Sequence, residues 1–496
     1  MSRILSPPSI PIVSQFDVQV SNADRDRIAA LTQRLLADEP GLDRTDVFGP
    51  AVQCGLGEGP SLLFEDHSQI SLFSEIEDTP LEYRTLMLAG DGDMMLVGGQ
   101  RFPEFEVYCR EWLRLGRVKI VNPRKDPSGS FVPTSKRCIA DEMLLEEICD
   151  LASRHGQLNV VPYIGSGNAW QLAAEIASRS SATVRVAAPP PRLTRRVNDK
   201  LWFTGRVRDV LDRQASPITY SVFGPAALAA RMKSLATRHD RVVVKIPDSA
   251  GSLGNVVFYS SDIVGQSLMT LRLRILDILQ ERGWQGGYPL IVGVWDQPVI
   301  ASPSVNVWVP RPEDGTPVVE GVFTQILSGV EGEFIGAENC VLPDVLQTRL
   351  VREAKLMAHL FQNVGYFGRC GFDAVLVGRS LAHADLHWVE CNGRWGGVSI
   401  PVTLANRLGH DWQNRSLVIV QRTQLEMPPR SLKSVLATLG NRLLRRPTNA
   451  TGVVLLAPGR LVDGSGLNLM VLAETTAEAR AEAQSVAALL RSSVVQ

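Results

Sequence analysis

The chain has 496 residues, of which 45% are hydrophobic and 21% charged. This composition excludes a largely disordered polymer and provides apolar cores for roughly two to four domains. The formal net charge of −1 creates no overall field for nucleic acid or an anionic membrane, so neither is expected as a partner. The seven cysteines lack the spacing of zinc ligands, and we find neither a signal peptide nor an apolar stretch of about 18 residues. We therefore expect a cytoplasmic protein.

The first part of the chain shows two different patterns. Residues 1–83 are predicted to be an N-terminal extension of unclear role, with one amphipathic helix at 22–37 capped by Asn or Asp. From 84 to 191, a short apolar run at 85–89 is followed by helical and strand patterns that alternate. The helices are expected at 103–115, at 141–155 and up to about 178, and the strands at 118–121, 158–162 and 183–187. This alternation predicts βαβ units, and hence a Rossmann-like domain with a parallel sheet that ends at Pro189–Pro191.

The remaining residues divide into two further α/β regions. Residues 192–415 have a mixed α and β pattern. Residues 416–496 are expected to form a small α/β cap, with helices at 431–445 and 476–491 and strands at 452–456 and 467–472. The predicted fold class is therefore α/β throughout.

A lysine and a glycine-rich loop form the first candidate site. Residues 242–245 are a β-branched run that predicts a buried strand with Lys245 at its end. The loop Asp248–Gly254 follows, and residues 255–259 read as a return strand. Glycines there let backbone N–H groups approach an anion, although the loop is not a P-loop because no GKS or GKT opens a helix. The alternative is an ordinary β-turn with a surface lysine.

The stretch 371–397 is the most informative part of the sequence. Strands are expected at 372–377 and 386–391, joined by a polar turn. A symmetric hairpin would pair Asp373 with Glu390, Val375 with Trp388 and Val377 with Leu386, with all six side chains on one face. Two opposed carboxylates repel each other, so a cation is expected between them. With the amide of Asn392 they form a set of hard oxygen ligands suited to Mg²⁺, whereas the alternative is a surface hairpin with exposed acids.

Two cations near these carboxylates complete the candidate site. Arg394 follows Asn392 by two residues and can hold a phosphoryl group or an oxyanion, or form a structural salt bridge to Asp373 or Glu390. Lys200 follows Asn198-Asp199, which can cap a helix from 200 to 211.

In this order, these pieces resemble the ATP-grasp superfamily. The resemblance implies that Lys200 and Arg394 are catalytic and that Mg²⁺ is held by Asp373, Glu390 and Asn392. It also implies an ATP site formed by Lys200, Lys245, and the loop residues Ser249, Gly251, Ser252 and Gly254. Adenine and ribose would meet main-chain groups of Val292 and Val294 and the side chain of Asp296, where many members have Glu.

A narrower resemblance is to the peptide ligases with a pre-ATP-grasp domain, typified by the pheganomycin biosynthesis ligase. It rests on residues 86–93, 193–202, 302–304 and 452–473. It implies ATP- and Mg²⁺-dependent amide formation through an acylphosphate, with release of ADP and phosphate. The expected partners are a small-molecule acid and an amine or peptide, such as an unusual amino acid of specialised metabolism, and a homodimer is a possible assembly.

The substrate contacts and the reaction stay open at this point. The residues expected to contact substrate are Arg394, the Gly396-Gly397 turn, Ser304 and Gln325. The alternatives to a peptide ligase are carboxylation, ligation of a non-peptide amine, or a nucleotide-binding module without catalysis.

Overall fold

The computed structural model describes residues 10–68, 70, 81–128, 130–247, 249, 254–422 and 429–492. Among these residues the strands form three sheets, of six, four and nine strands, which we call the first, small and large sheets. Helix α1 (Asn22–Asp38) precedes them, and its cap is Ser21 rather than the predicted Asn or Asp. No helix in the described ranges is long and apolar enough to cross a membrane.

The first sheet is parallel and has the strand order β1-β6-β5-β2-β3-β4. Its strands are β1 (Val52–Cys54), β2 (Ser61–Phe64), β3 (Met94–Leu96), β4 (Lys119–Val121), β5 (Gln157–Pro162) and β6 (Thr183–Val186). The helices between them are α2 (Pro103–Glu111), α3 (Thr134–Ala140), α4 (Glu142–His155) and α5 (Gly167–Ser180). The predicted Rossmann-like alternation is confirmed over residues 103–187.

The start predicted for this region is wrong. The first sheet takes β1 and β2 from the predicted N-terminal extension, and β2 lies between β5 and β3. The apolar run at 85–89 falls largely in a 3-10 helix, Glu82–Leu88, whose residues are all buried. Strands of three or four residues between glycines give too few positions for a periodic signal, so the boundary at residue 84 was placed too late.

The small sheet is antiparallel and has the order β7-β10-β8-β9. It follows helices α6 (Pro191–Asn198) and α7 (Lys200–Val210). Its strands are β7 (Thr219–Val222), β8 (Arg241–Lys245), β9 (Asn255–Tyr259) and β10 (Leu290–Val294). Helices α8 (Pro225–Ala236), α9 (Ser261–Val264) and α10 (Leu268–Glu281) enclose its apolar core.

The large sheet has the order β11-β15-β12-β13-β14-β17-β19-β18, and β16 pairs with β15. Its strands are β11 (Val299–Ala301), β12 (Pro303–Val309), β13 (Val318–Ser328), β14 (Glu333–Asn339), β15 (Gly368–Val377), β16 (Asp385–Asn392), β17 (Ser416–Arg422), β18 (Gly452–Leu455) and β19 (Leu467–Ala473). The helices are α11 (Asp344–Asn363), α12 (Ser399–Arg407), α13 (Leu432–Leu439), α14 (Gly459–Asp463) and α15 (Thr476–Ser492).

The predicted C-terminal cap has the expected strands but is not a separate layer. Strand β17 pairs with β14, and β19 pairs with β17, so residues 416–492 continue the large sheet. Helix α13 ends at Leu439, before the predicted limit at 445.

Candidate active site

The site lies in a cleft between the small sheet and the β15–β16 hairpin of the large sheet. A cavity of about 300 Å³ opens there, with Lys245 on the first wall and Asp373 and Glu390 on the second. Lys245 ends strand β8, as predicted, and its Nζ lies 5.5 Å from the ring centroid of Trp295. Burial and the nearby Lys200 lower the pKa of Lys245 to about 8, with Glu390 and Asp296 acting in the opposite direction.

The β15–β16 hairpin pairs Asp373 with Glu390, as predicted, but the rest of the predicted register is wrong. A bulge follows this pair, so that Ala374 opposes Trp388 and Val375 opposes His387. One extra residue in β16 therefore places Val389 and Glu390 together along the cavity and moves Trp388 to the core. There the Trp388 indole donates to Glu353 over 2.8 Å.

Asp373 is buried, and its neighbours hold it on the cavity wall. Asn392 Nδ2 donates to Asp373 Oδ2 over 2.8 Å, and Ser304 and Gln325 also hydrogen-bond to this carboxyl group. Burial and the charge of Glu390 raise the pKa of Asp373 to about 7, although these hydrogen bonds and Arg394 act in the opposite direction. Ser304 and Gln325, expected to contact substrate, are therefore engaged with Asp373.

Glu390 pairs with Lys200, which is the first residue of α7. The distance from Lys200 Nζ to Glu390 Oε2 is 3.1 Å, and the side chain of Lys200 is almost fully buried. Burial acts to raise the pKa of Glu390, but Lys200 and Lys245 hold it below the usual value. As predicted, Asp199 caps this helix, because its carboxylate accepts from the N–H groups of Leu201 and Trp202.

Arg394 is held by two amide side chains rather than by a carboxylate. One guanidinium nitrogen donates to Asn392 Oδ1 over 2.6 Å, and another donates to Asn198 Oδ1. Asn198 Oδ1 also accepts from the N–H of Gly393 over 3.1 Å. Among the described residues, Arg394 forms no salt bridge to Asp373 or Glu390, so the alternative of a structural salt bridge is not observed.

The glycine-rich loop is described at its two ends. Lys200 Nζ donates to the backbone oxygen of Ser249 over 2.6 Å, so the lysine that pairs with Glu390 also holds this end of the loop. A Cβ at Gly254 would lie 2.0 Å from Ser249 Oγ, so this position requires glycine. Gly251 and Ser252, both predicted to bind the nucleotide, lie outside the described residues.

The segment after β10 forms a third wall of the cavity. Val294 and Asp296 line the cavity, as the nucleotide prediction requires, together with Trp295. Val292 does not line it, because its side chain is buried in the core of the small sheet. Asp296 Oδ2 lies 2.8 Å from His387 Nδ1.

Comparison with known proteins agrees with this layout. Residues 82–178 match the family described as Pre ATP-grasp domain. A Campylobacter jejuni biotin carboxylase in a β,γ-ATP complex aligns with a TM-score of 0.52 at 15% identity, over 86% of this chain and 91% of that one. The ADP complex of purK, an N5-carboxyaminoimidazole ribonucleotide synthetase, aligns with a TM-score of 0.50 at 12% identity, over 88% and 97%. A comparison with curated proteins gave no match.

The chain has the ATP-grasp fold, preceded by a pre-ATP-grasp domain. In this ATP-grasp fold the small sheet and the β15–β16 hairpin form the two walls of the cleft.

The residues of the ATP-grasp hairpin fit a magnesium ion in donor type. Two carboxylates and an amide face one another, and hard oxygen atoms are the ligands that Mg²⁺ prefers. A cation between Asp373 and Glu390 would also relieve the repulsion that raises the pKa of Asp373. In this structure the amide nitrogen of Asn392, not its oxygen, faces Asp373. Within the described ranges, no cluster of three Asp, Glu, His or Cys side chains offers another site.

Sequence reasoning missed three features of the ATP-grasp cleft. His387 contacts Asp296, but a regular hairpin places it on the core face, and only the bulge turns it toward the cleft. Asn255 and Glu331 also line the cavity. Asn255 lies directly opposite Lys245, so strand pairing could have identified it, whereas nothing in the sequence relates Glu331 to the cleft.

Proposed function

We propose that the chain is an ATP-dependent carboxylate–amine ligase. The observation that carries the proposal is the convergence of Lys200, Lys245 and Arg394 on the Asp373–Glu390 pair, at one end of a cavity with an apolar wall. Phosphoryl transfer needs positioned positive charge and metal-binding carboxylates more than it needs a covalent catalyst.

We assign Mg²⁺ to Asp373, Glu390 and Asn392. When bound, this ion supplies positive charge to the phosphate oxygens. Lys200 and Arg394 lie on the same side of the hairpin as these ligands and would stabilise the charge on the transferring group. Lys245 extends from the opposite wall, where it would bind the phosphates nearer the nucleoside.

The proposed reaction has two steps. An oxygen of the substrate carboxylate attacks the γ-phosphorus; that O–P bond forms, the bridging P–O bond to the β-phosphate breaks, and ADP leaves. The amine nitrogen then attacks the acyl carbon, the C–O bond to phosphate breaks, and the nitrogen loses a proton. The chain must exclude water between these steps, because an acylphosphate hydrolyses when exposed.

The substrate is proposed to be an unusual amino acid or a short peptide. Ser304 and Gln325 are better assigned to orienting Asp373, with which they hydrogen-bond. The Gly396-Gly397 turn remains our candidate for substrate contact, because it directly follows Arg394 and Trp395. The N–H of Trp395 donates to the backbone oxygen of Tyr163 over 3.0 Å, which places this turn beside the pre-ATP-grasp domain.

Carboxylation is the second candidate function. Two of the similar structures are a biotin carboxylase and an N5-carboxyaminoimidazole ribonucleotide synthetase. Bicarbonate can replace the organic acid in the first step, since it also presents a carboxylate oxygen to the γ-phosphorus. The two functions then differ in the product, which is an amide in one case and a carbamate or carboxylated acceptor in the other.

The test is a screen for ADP release over pairs of acids and amines, with bicarbonate included among the acids. We expect sustained ADP release, over many turnovers, only when Mg²⁺, ATP, one acid and one amine are present together, with the amide identified by mass spectrometry. ADP formed with bicarbonate in place of the organic acid would establish the carboxylation alternative. ATP binding without ADP release for any pair would instead favour a nucleotide-binding module without catalysis.

A further inference from the structure

Asn255 has a side chain whose hydrogen-bonding capacity is unused at the wall of the cavity. It begins β9 directly opposite Lys245 and lines the cavity with Trp295. Its Oδ1 is buried without a hydrogen-bond partner in the described part of the chain. Because buried polar groups in folded proteins are almost always hydrogen-bonded, an unused carboxamide in a ligand cavity indicates that the ligand supplies the partner.

The backbone of Asn255 is fixed from behind. An Arg282 guanidinium nitrogen donates to the backbone oxygen of Asn255 over 2.7 Å. The same guanidinium forms a two-pronged ion pair with Glu331, over 2.8 and 2.6 Å. Glu331 lines the cavity from the β13–β14 turn, so one ion pair joins the small sheet to the large sheet at this point. The backbone position of Asn255, opposite Lys245, is therefore set by the fold.

The chemistry of a carboxamide favours one part of a nucleotide. A carboxamide presents a donor and an acceptor side by side, which complements the 6-amino group and the adjacent ring nitrogen of adenine. Phosphate oxygens only accept, so they would leave the Asn255 oxygen unsatisfied. Val294 and Val375 provide apolar surface in the same cavity for the faces of a base.

We propose that Asn255 recognises the edge of adenine and so selects ATP over nucleotides that lack the 6-amino group. The proposal rests on the nucleotide site of the proposed function. It assigns to Asn255 a role in base specificity that is separate from the phosphate and metal contacts of Lys200, Lys245 and Glu390.

The experiment measures nucleotide affinity rather than turnover. Isothermal titration with Mg²⁺ would compare ATP, inosine triphosphate and 2′-deoxyATP on the full chain and on Asn255→Leu, a change of similar volume. Gln266→Leu is the matched control, because Gln266 Oε1 is also buried without a partner in the same part of the fold but lies outside the cavity lining. Thermal unfolding would confirm that both variants are folded.

We expect the full chain to bind ATP about tenfold more tightly than inosine triphosphate, as one or two hydrogen bonds predict. Asn255→Leu should bind the two equally, with ATP weakened to the level of inosine triphosphate, while Gln266→Leu keeps the preference. Unchanged ATP affinity in Asn255→Leu overturns the inference. So does a variant that loses a preference for ATP over 2′-deoxyATP but keeps the preference over inosine triphosphate, because that result would place a ribose hydroxyl on Asn255. If the unmodified chain binds none of the three nucleotides, the proposed function fails as well. The two contrary results for Asn255→Leu would overturn only the role of Asn255 and would not contradict the proposed function.

Discussion

The charges of the site meet at the carboxylate of Glu390. Lys200 lies 3.1 Å away, and Lys245 and Arg394 also act to keep this group ionised. Glu390→Gln keeps the size of the side chain but removes the charge needed for a metal ligand. We expect ADP release to fall by about 100-fold or more, measured with the acid and amine identified by the screen. Glu338→Gln is the control, because Glu338 is a buried carboxylate on the same sheet that pairs with Arg480 away from the cleft. Full activity in Glu390→Gln would contradict the metal assignment.

Lys245 should make ATP binding depend on pH. Its pKa is lowered to about 8, and only the protonated form attracts phosphate, so ATP affinity is fully present well below pH 8 and is lost as the pH rises through that value. For one linked proton we expect affinity to fall by about fivefold between pH 8 and pH 9. Titration calorimetry from about pH 6.5 to about pH 9.5 would measure this fall in ATP affinity. Lys245→Arg should abolish the fall, because arginine stays charged; a fall of the same size in that variant would assign the proton to another group.

At the scale of elements, the N-terminus of α7 positions Lys200. The carboxylate of Asp199 caps this helix, and Lys200 is its first residue. Asp199→Ala should reduce the free energy of unfolding by about 1 kcal/mol and also weaken ATP binding. Ser267→Ala removes the equivalent cap of α10, where Ser267 accepts from the N–H of Thr270, and should cost similar stability without any effect on affinity. Denaturant unfolding and titration of both variants would separate the two effects. Equal ATP affinity in the two variants would show that the cap acts on stability alone.

The hairpin shows how far sequence patterns predict this site. Opposed strands with Asp373 and Glu390 in register follow from the spacing, and the structure confirms that pair. The bulge beside the pair does not follow, because alternation of apolar residues has no signal for one extra residue. Every residue before Glu390 in β16 is therefore on the opposite face from that predicted, including His387 and Trp388. The pair itself is predictable from the spacing, whereas the bulge beside it and contacts between distant elements, such as Arg282 with Glu331, depend on the tertiary fold.

At the scale of the whole molecule, the first sheet and the segment that follows Arg394 share one core. Leu63 of β2, Tyr163, Trp395 and Val398 belong to the same buried apolar cluster. The backbone bond from Trp395 to Tyr163 lies in the same region. Arg407 adds two hydrogen bonds to this contact, because its guanidinium donates to the backbone oxygens of Met87 and Leu115, over 2.6 and 3.1 Å. We infer that folding of the pre-ATP-grasp domain and placement of Arg394 are coupled.

This coupling predicts a large effect from a residue in the segment that sequence patterns assigned to an extension of unclear role. Leu63 is fully buried in β2, so Leu63→Ala should reduce the free energy of unfolding by about 2–5 kcal/mol through lost burial and a cavity. Val47→Ala lies in the same segment but at a position that is 69% exposed, and should change stability by about 0.5 kcal/mol or less. Denaturant unfolding followed by tryptophan fluorescence would measure both, because Trp395 reports from the shared cluster. If residues 1–83 formed an independent extension, Leu63→Ala would leave the main transition unchanged; a single transition shifted to lower denaturant would show that β2 unfolds together with the rest of the chain.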